Sequence, residues 1–146
     1  MTWLDDEASE LHPDIAVEVG LGALTATLRR KLTFDDTRRI AGSVDVDTCL
    51  RASFPNEPRW DFVVGYGEHA WFIEEHPANS GTNFDEMIAK AQWLRALVRG
   101  KRIAARSRGL HWVSTGATVS QLGFSRKRRL LAELGVRGPS RTLTVG

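Results

Sequence analysis

Two acidic side chains and a histidine lie at the ends of two strand-like segments, where they could act together. Asp61 lies near the start of the aromatic and β-branched run WDFVVGY, and Glu74 and His76 close the run HAWFIEEH. Paired carboxylates bind hard divalent cations such as Mg²⁺ and Mn²⁺. A neighbouring imidazole can accept a proton or bind metal. These residue types therefore suit metal-assisted hydrolysis.

A tight turn is predicted between the two segments. Gly67-Glu68 separates them, and glycine in the first position of a two-residue loop is typical of a type II′ hairpin. Tyr66 then pairs with His69, and stepping outward pairs Asp61 with Glu74 on one face. A one-residue slip would separate the two carboxylates. Because like charges so close are destabilising, a divalent cation, a shared proton or a nearby arginine should compensate them.

Strand alternation decides which other side chains join the pair. Glu74 and His76 are two residues apart and share a face, whereas Glu75 points to the opposite face. Asp61, Glu74 and His76 are therefore expected to converge at the end of the hairpin. The alternative is that these strand ends are simply solvated.

Helical and strand-like patterns alternate along the chain, which predicts one domain over residues 1–146. The expected fold class is α/β (α+β), with a mixed central β-sheet flanked by helices. The first predicted elements are a helix after His12-Pro13 that carries Ile15, Val19, Leu24 and Leu28, a strand over 41–46, and a short helix that is capped by Asp47 and ends at Phe54. After the hairpin comes a long helix capped by Asn83, with the apolar stripe Phe84, Met87, Ile88, Ala91, Leu94 and Val98 and with Gly100 just past its end. The last predicted elements are a strand over 110–114, a basic helix from Ser125 to Leu134 stopped by Gly135, and a strand over 141–145.

The hairpin and the elements after it resemble the PD-(D/E)xK nuclease-like superfamily. That family has an α-β-β-β-α-β core, with Asp on the second strand and Glu-x-Lys on the third. The matching segments here are RWDFVVGY, which contains Asp61, and WFIEEHP, which contains Glu74 and His76. The resemblance covers about residues 14–115, and a basic helix and strand follow over about 116–146.

The resemblance implies a nuclease that uses Mg²⁺ or Mn²⁺, with Asp61 and Glu74 as metal ligands. His76 stands where the family has its lysine, and a neutral imidazole supplies no permanent cation. Lys90 on the following helix could replace that charge, as a migrated lysine does in some relatives, and Gln92 is a weaker candidate. Either side chain is alternatively a solvated helix residue. Glu18 is a further candidate acidic ligand.

The charge is divided unevenly along the chain. Residues 1–94 hold 8 Lys and Arg against 17 Asp and Glu, whereas residues 95–146 hold 12 against 1. This asymmetry points to an anionic partner such as DNA or RNA, unless the two halves interleave and neutralise each other. The candidate phosphate contacts are Arg126, Lys127, Arg128 and Arg129, supplemented by Arg99, Lys101, Arg102, Arg106 and Arg108. Trp93 and Trp112 are candidates for base stacking, although Trp112 fits core packing better.

Composition excludes several protein classes. The chain has 146 residues, 42% of them hydrophobic and 26% charged, which is typical of a globular domain. It has no apolar run that could span a bilayer, and its acidic N-terminus is unlike a signal peptide. The single cysteine, Cys49, has no intrachain partner, which fits a reducing cytoplasmic setting and a buried structural thiol.

Three hypotheses follow. The first is a Mg²⁺- or Mn²⁺-dependent nuclease that cleaves DNA or RNA with Asp61, Glu74, His76 and Lys90. The second is a catalytically inactive nuclease-fold module that binds nucleic acid or a protein partner. The third is a small regulator that binds protein through the acidic N-terminal half. The oligomeric state stays open.

Overall fold

A mixed five-stranded β-sheet lies at the centre of the protein, which confirms the predicted mixture of helices and strands. The computed structural model describes residues 1–116 and 124–146. Its strands are β1 (Leu32–Phe34), β2 (Ile40–Asp45), β3 (Phe62–Tyr66), β4 (His69–Pro77), β5 (Ser107–Thr115), β6 (Val136–Ser140) and β7 (Leu143–Val145). Its helices are α1 (Trp3–Ser9), α2 (Ala26–Arg29), α3 (Val46–Leu50), α4 (Gly81–Val98), α5 (Arg102–Ala105) and α6 (Ser125–Glu133), with a 3₁₀ turn over Thr37–Arg39.

The sheet combines an antiparallel half and a parallel half. Its strand order is β2-β3-β4-β5-β6. The strand β3 runs antiparallel to both β2 and β4, whereas β5 runs parallel to both β4 and β6. Along the chain, the long helix α4 and the short α5 connect β4 to its neighbour β5, because parallel neighbouring strands need a crossover connection. A separate parallel ribbon joins β1 to β7.

Both faces of the sheet are covered by apolar side chains. On the first face the core includes residues of α1, α3, α4, α5 and α6, packed around Trp60, Phe72 and Trp112. On the second face, Leu28 of α2 and residues of the β1–β7 ribbon pack against Val64 and other strand residues. Because successive side chains of a strand point to opposite faces of the sheet, the same strands contribute apolar residues to both cores.

The long helix is where the sequence places it. Phe84, Met87, Ala91, Leu94 and Val98 are buried, as the predicted stripe requires, and Gly100 follows the end of α4 with a φ of +74°. The cap differs from the prediction, because the Ser80 side chain accepts a hydrogen bond from the Asn83 backbone N–H. The helix therefore begins two residues before Asn83, at Gly81. None of the helices described is long and apolar enough to cross a membrane.

The predicted first helix after His12-Pro13 was wrong. Turns and the short α2 occupy that segment, and the true first helix, α1, precedes it. Its apolar residues do not form one stripe, since Ile15 packs on the first face, Leu24 and Leu28 pack on the second, and Val19 is 95% exposed. Gly20 adopts a φ of +58°, which breaks helical geometry.

Smaller differences concern caps and edge strands. Asp45, not Asp47, caps α3 by accepting the Thr48 N–H at 2.8 Å, and the helix ends at Leu50 rather than Phe54. The predicted final strand is shorter, as β7, and the segment before it forms the edge strand β6. It contains Pro139, which an edge strand tolerates.

Candidate functional site

The hairpin register places Asp61 opposite Glu74, as the sequence predicts. Phe62 pairs with Ile73 and Tyr66 with His69 across the turn, where Gly67 has a φ of +57°. The two acidic residues lie one step beyond the Phe62 pair. The Asp61 N–H donates to Glu74 Oε1 at 2.9 Å, and the Glu75 N–H donates to Asp61 Oδ2 at 3.0 Å. Each carboxylate thus fixes the backbone of the opposite strand.

Neighbouring elements hold Asp61 in place. Its carbonyl oxygen accepts the Val46 N–H at 2.8 Å, which ties it to the start of α3. Trp60 before it and Phe62 after it are both buried. Because the backbone is held on both sides, the Asp61 side chain has a defined position beside Glu74.

Glu74 is buried more deeply than carboxylates normally are, and Asp61 beside it is half-buried. Glu74 is only 1% exposed. Burial, followed by the charge of Asp61, raises the pKa of the Glu74 carboxyl well above its ordinary value of 4.5. Burial also raises the pKa of Asp61, although the ammonium of Lys90 and a hydrogen bond with Glu74 oppose this. Of the two carboxyls, Glu74 therefore has the more strongly raised pKa.

Lys90 joins the pair from helix α4. Its Nζ lies 3.2 Å from Glu74 Oε2 and donates to the Arg59 carbonyl oxygen at 2.8 Å. The alternative of a solvated helix residue is excluded, since the Lys90 side chain is 19% exposed and both contacts are internal. The Lys90 ammonium places a positive charge beside the two carboxylates, where the sequence predicted a divalent cation, a shared proton or an arginine.

His76 lies at the outer side of the same cluster. Its Nδ1 is 3.6 Å from Glu74 Oε2, its Nε2 is 3.5 Å from Glu86 Oε1, and its carbonyl oxygen accepts the Trp112 indole N–H at 2.9 Å. Burial, followed by the charge of Lys90, lowers the pKa of the imidazole. Its Nε2 is buried and has no hydrogen-bond partner among the described residues. His76 is therefore a neutral ring with one unsatisfied nitrogen.

All four predicted catalytic residues thus meet at one place, and two weaker candidates do not. Glu18 is exposed and forms an isolated β-bridge with Ser43 rather than lying on a helix, and Gln92 is exposed on α4. Glu75 points to the other face, as alternation predicts, and pairs with Lys31 at 2.9 Å.

Sequence reasoning missed Glu86, the second acidic contact of His76. The signal was present, because Glu86 and Lys90 are four residues apart and lie on one side of a helix. The Arg59 carbonyl was also missed, and no sequence pattern identifies a backbone acceptor of this kind.

The basic tract lies on α6. Arg126, Arg128 and Arg129 are exposed, as a phosphate-contacting surface requires. Lys127 is not free, because its Nζ lies 3.0 Å from Asp85 on α4. Of the candidate stacking residues, Trp112 is buried in the core and Trp93 is partly buried beside Phe54.

Charges from the two halves of the chain also meet elsewhere. Arg102 pairs with Glu10 at 2.6 Å and Arg106 with Glu7 at 2.7 Å. Part of the sequence asymmetry is therefore neutralised in the fold. The remaining positive charge lies on residues such as Arg126 and Arg129 of α6.

The comparisons with known proteins give no assignment. No protein-family model matches the chain, and no curated protein or solved structure is detectably similar to it. The evidence on function is therefore the cluster of Asp61, Glu74, His76 and Lys90.

Proposed function

We propose that the chain is a Mg²⁺- or Mn²⁺-dependent phosphodiester hydrolase of the PD-(D/E)xK type. The observation that carries this proposal is the juxtaposition of half-buried Asp61 and buried Glu74, two carboxyls whose pKa values are raised, mainly by burial. Ionisable groups perturbed in this way concentrate at functional sites. In the same cluster, His76 Nε2 is a buried polar atom without a hydrogen-bond partner among the described residues.

The donor set fits a magnesium-like cation better than a zinc-like one. Among residues 1–116 and 124–146, no three His, Cys, Asp or Glu side chains are arranged to hold a metal ion. Magnesium does not require three, since it commonly uses one or two carboxylates, several waters and the substrate phosphates. Asp61 and Glu74 would hold the ion, and its charge would relieve the repulsion between them.

The other side chains have complementary roles in this proposal. A bound divalent cation polarises a phosphodiester and activates water. Lys90 supplies the permanent positive charge that His76 lacks, and it lies beside Glu74 as a migrated lysine would. Neutral His76 can accept a proton from the attacking water. Apart from the short elements α2, β1, α3 and α5 and the 3₁₀ turn, the order is α1, β2, β3, β4, α4, β5, which supports a comparison with the α-β-β-β-α-β core of the family, although α1 begins before residue 14.

A second function is favoured by the same contacts. Lys90 already neutralises Glu74, and Glu74 is 1% exposed, so a phosphate reaches the pair only if Lys90 moves. A catalytically inactive module that binds nucleic acid or protein would retain this closed arrangement. Asp61 and Glu74 would then have only a structural role, connecting the hairpin to α3 through the Asp61 carbonyl and to α4 through Lys90.

The test is thermal unfolding with and without Mn²⁺, combined with cleavage of DNA and RNA. For the hydrolase, Mn²⁺ raises the melting temperature of the wild type, because the ion binds only the folded state. Asp61→Asn should lose both this stabilisation and cleavage. Asp6→Asn, which removes an exposed carboxylate from α1, is the matched control and should keep both.

The inactive module predicts a different pattern. The wild type would then cut neither nucleic acid, and its melting temperature would ignore Mn²⁺. Asp61→Asn would be neutral or stabilising by up to about 1 kcal/mol, because it removes a like-charge contact. A wild-type protein with this behaviour would falsify the hydrolase proposal.

A further inference from the structure

Arginines and aromatic residues surround a cleft at the opposite end of the hairpin from Asp61. The cleft has a volume of about 350 Å³ and is lined by Arg39, Tyr66, His69, Trp71, Arg108, Arg137 and Gly146. This volume lies in the range of small-molecule sites, roughly 300–1,000 Å³. Tyr66 is separated from Asp61 by about 15 Å of extended strand, so the two places are distinct.

Five different elements bring these arginine, histidine and aromatic side chains together. Tyr66 and His69 are paired across the hairpin turn, and Trp71 follows on the same face of β4. Ile73 pairs with His111, and His111 pairs with Arg137 on β6, so Arg137 lies on that face too. Arg39 comes from the 3₁₀ turn before β2, and Arg108 comes from the start of β5.

The three guanidinium groups around the cleft are not neutralised. Within residues 1–116 and 124–146, no carboxylate lies within the 4.0 Å of an ion pair from Arg39, Arg108 or Arg137. Arg51 and Arg59, by contrast, both pair with Asp47. Three permanent cations around one cavity repel each other, and a bound anion would relieve that repulsion.

Two of the side chains are held in defined positions. The Arg39 guanidinium lies over the Tyr66 ring, 4.9 Å from its centroid. Arg108 lies 3.0 Å from His69 Nε2, and because guanidinium can only donate, His69 accepts there and carries its proton on Nδ1. The Arg39 and Arg108 side chains are therefore positioned by neighbouring rings that also line the cleft.

Trp71 connects this cleft to a neighbouring one. It lines both, together with Arg137, and its indole stacks on His111 with ring centroids 4.8 Å apart. The neighbouring cleft, of about 250 Å³, adds the hydroxyl groups of Ser140, Thr142 and Thr144. A half-buried indole beside several hydroxyl groups suits a planar, polar group attached to the anion.

We propose that this groove binds a nucleotide, with its phosphate between Arg39, Arg108 and Arg137 and its base against Trp71. Guanidinium groups match phosphate oxygens in charge and geometry, and aromatic rings stack on nucleobases. The nucleotide is either free or part of a single strand, since both present the same phosphate and base. This site does not depend on the proposed hydrolysis at Asp61.

The experiment is calorimetric titration of the full chain with AMP, adenosine, inorganic phosphate and the tetranucleotide (dA)₄. AMP should bind about tenfold or more tightly than adenosine or phosphate, because only AMP fills both parts of the groove. The double variant Arg108→Ala/Arg137→Ala removes exposed side chains and should weaken AMP binding about tenfold or more. Arg30→Ala/Arg51→Ala removes two exposed arginines away from the groove, so it is the matched control and should bind AMP as the wild type does.

Two further variants guard against misfolding and separate the groove from the hydrolase site. Arg137→Ala alone, on the edge strand, should still weaken AMP binding if the double variant fails to fold. Asp61→Asn should leave AMP binding unchanged, which separates this site from the proposed hydrolase site. In a chain carrying Arg126→Ala/Arg129→Ala, which removes arginines of the α6 surface, tighter binding of (dA)₄ than of AMP identifies a single strand as the source, and equal binding identifies a free nucleotide. AMP binding that is no better than phosphate, or that survives loss of Arg108 and Arg137, overturns the proposal.

Discussion

Lys90 Nζ lies 3.2 Å from Glu74 Oε2 and connects the middle of α4 to β4 at the deepest point of the carboxylate cluster. Glu74 is 1% exposed and Lys90 is 19% exposed, so the contact is poorly screened by water. The same ammonium opposes the burial that raises the pKa values of Asp61 and Glu74, and it adds to the burial that lowers the pKa of His76. One helix residue thus influences the ionisation of three residues on the hairpin.

Lys90→Met should therefore destabilise the protein strongly. Removing one partner of a buried ion pair typically costs about 3–5 kcal/mol, because the other charge is left uncompensated. We expect about 2–4 kcal/mol in urea unfolding, since Glu74 can take up a proton. The exposed neighbour Gln92→Met should change stability by less than about 0.5 kcal/mol.

The double variant Lys90→Met/Glu74→Gln separates charge from packing. It removes both partners, so it should recover part of the stability that Lys90→Met loses. A double variant as unstable as the sum of the two single variants would show that the two residues do not interact.

The raised pKa of Glu74 predicts how stability depends on pH. Because its pKa is raised in the folded protein, Glu74 keeps its proton to a higher pH there than in the unfolded chain, where the ordinary value of 4.5 applies. Unfolding therefore releases protons between that pH and the raised folded pKa, and the free energy of unfolding falls as pH rises through this interval. Above the folded pKa this contribution becomes constant.

Urea unfolding from about pH 5 to about pH 8 measures this effect. Glu74→Gln cannot titrate, so its stability should fall less over this range than that of the wild type. Glu57→Gln removes an exposed carboxylate and should keep the wild-type slope. Parallel slopes for the wild type and Glu74→Gln would contradict the assignment of the proton to Glu74.

The hairpin and its carboxylates were predictable because the information is local. A two-residue loop with glycine first fixes the register, and the register pairs Phe62 with Ile73 and aligns Asp61 with Glu74. Helix α4 was equally clear, since its stripe continues over five turns. The Lys90 contact was less certain, because the rotation of a helix over a sheet depends on long-range packing.

The first helix was not predictable in the same way. Ile15, Leu24 and Leu28 are all buried, but they pack on two different faces of the sheet. Periodicity cannot distinguish such a segment from one helix stripe. The signal for α1 was present in Thr2 and Asp5, where the Thr2 N–H donates to the Asp5 carboxylate at 2.6 Å as in a capping box.

The turn glycine Gly67 should be sensitive to substitution. Its φ is +57°, and an added Cβ would meet the guanidinium group of Arg39. We expect Gly67→Ala to cost about 2 kcal/mol in thermal or urea unfolding, from the left-handed backbone and the displaced arginine. Gly100→Ala has a φ of +74° but open space around it, so it should cost only about 1 kcal/mol. Equal costs would mean that Arg39 is displaced freely.

The exposed arginines of α6 should control binding to duplex nucleic acid. Phosphate contacts release counterions, so we expect weak wild-type binding that falls steeply with salt. The triple variant Arg126→Glu/Arg128→Glu/Arg129→Glu should abolish it without changing the melting temperature. Lys127 is left intact because it pairs with Asp85. Electrophoretic mobility shifts at low salt provide the measurement, and unchanged binding by the triple variant would exclude α6 as the contact surface.

The last prediction concerns His76, which stands at the lysine position of the PD-(D/E)xK motif. Its side chain is only 14% exposed and its ring lies beside Trp112, 6.5 Å between centroids, so His76→Ala also removes some packing. If the cluster hydrolyses phosphodiesters, His76→Ala should reduce the cleavage rate about 100-fold, the lower range for a lost general base, with a stability loss of about 1–2 kcal/mol that leaves the protein folded.

His76→Lys tests the same position in the other direction. A lysine ammonium there has Glu74 and Glu86 as partners, because Nδ1 and Nε2 of His76 already lie within 3.6 Å of their carboxylates. It supplies a permanent cation where the imidazole is neutral, so Mn²⁺-dependent cleavage should be kept or increased. Single-turnover rates on one labelled oligonucleotide compare the variants directly. If His76→Ala cuts as fast as the wild type, His76 takes no part in the reaction and Lys90 alone serves the lysine position.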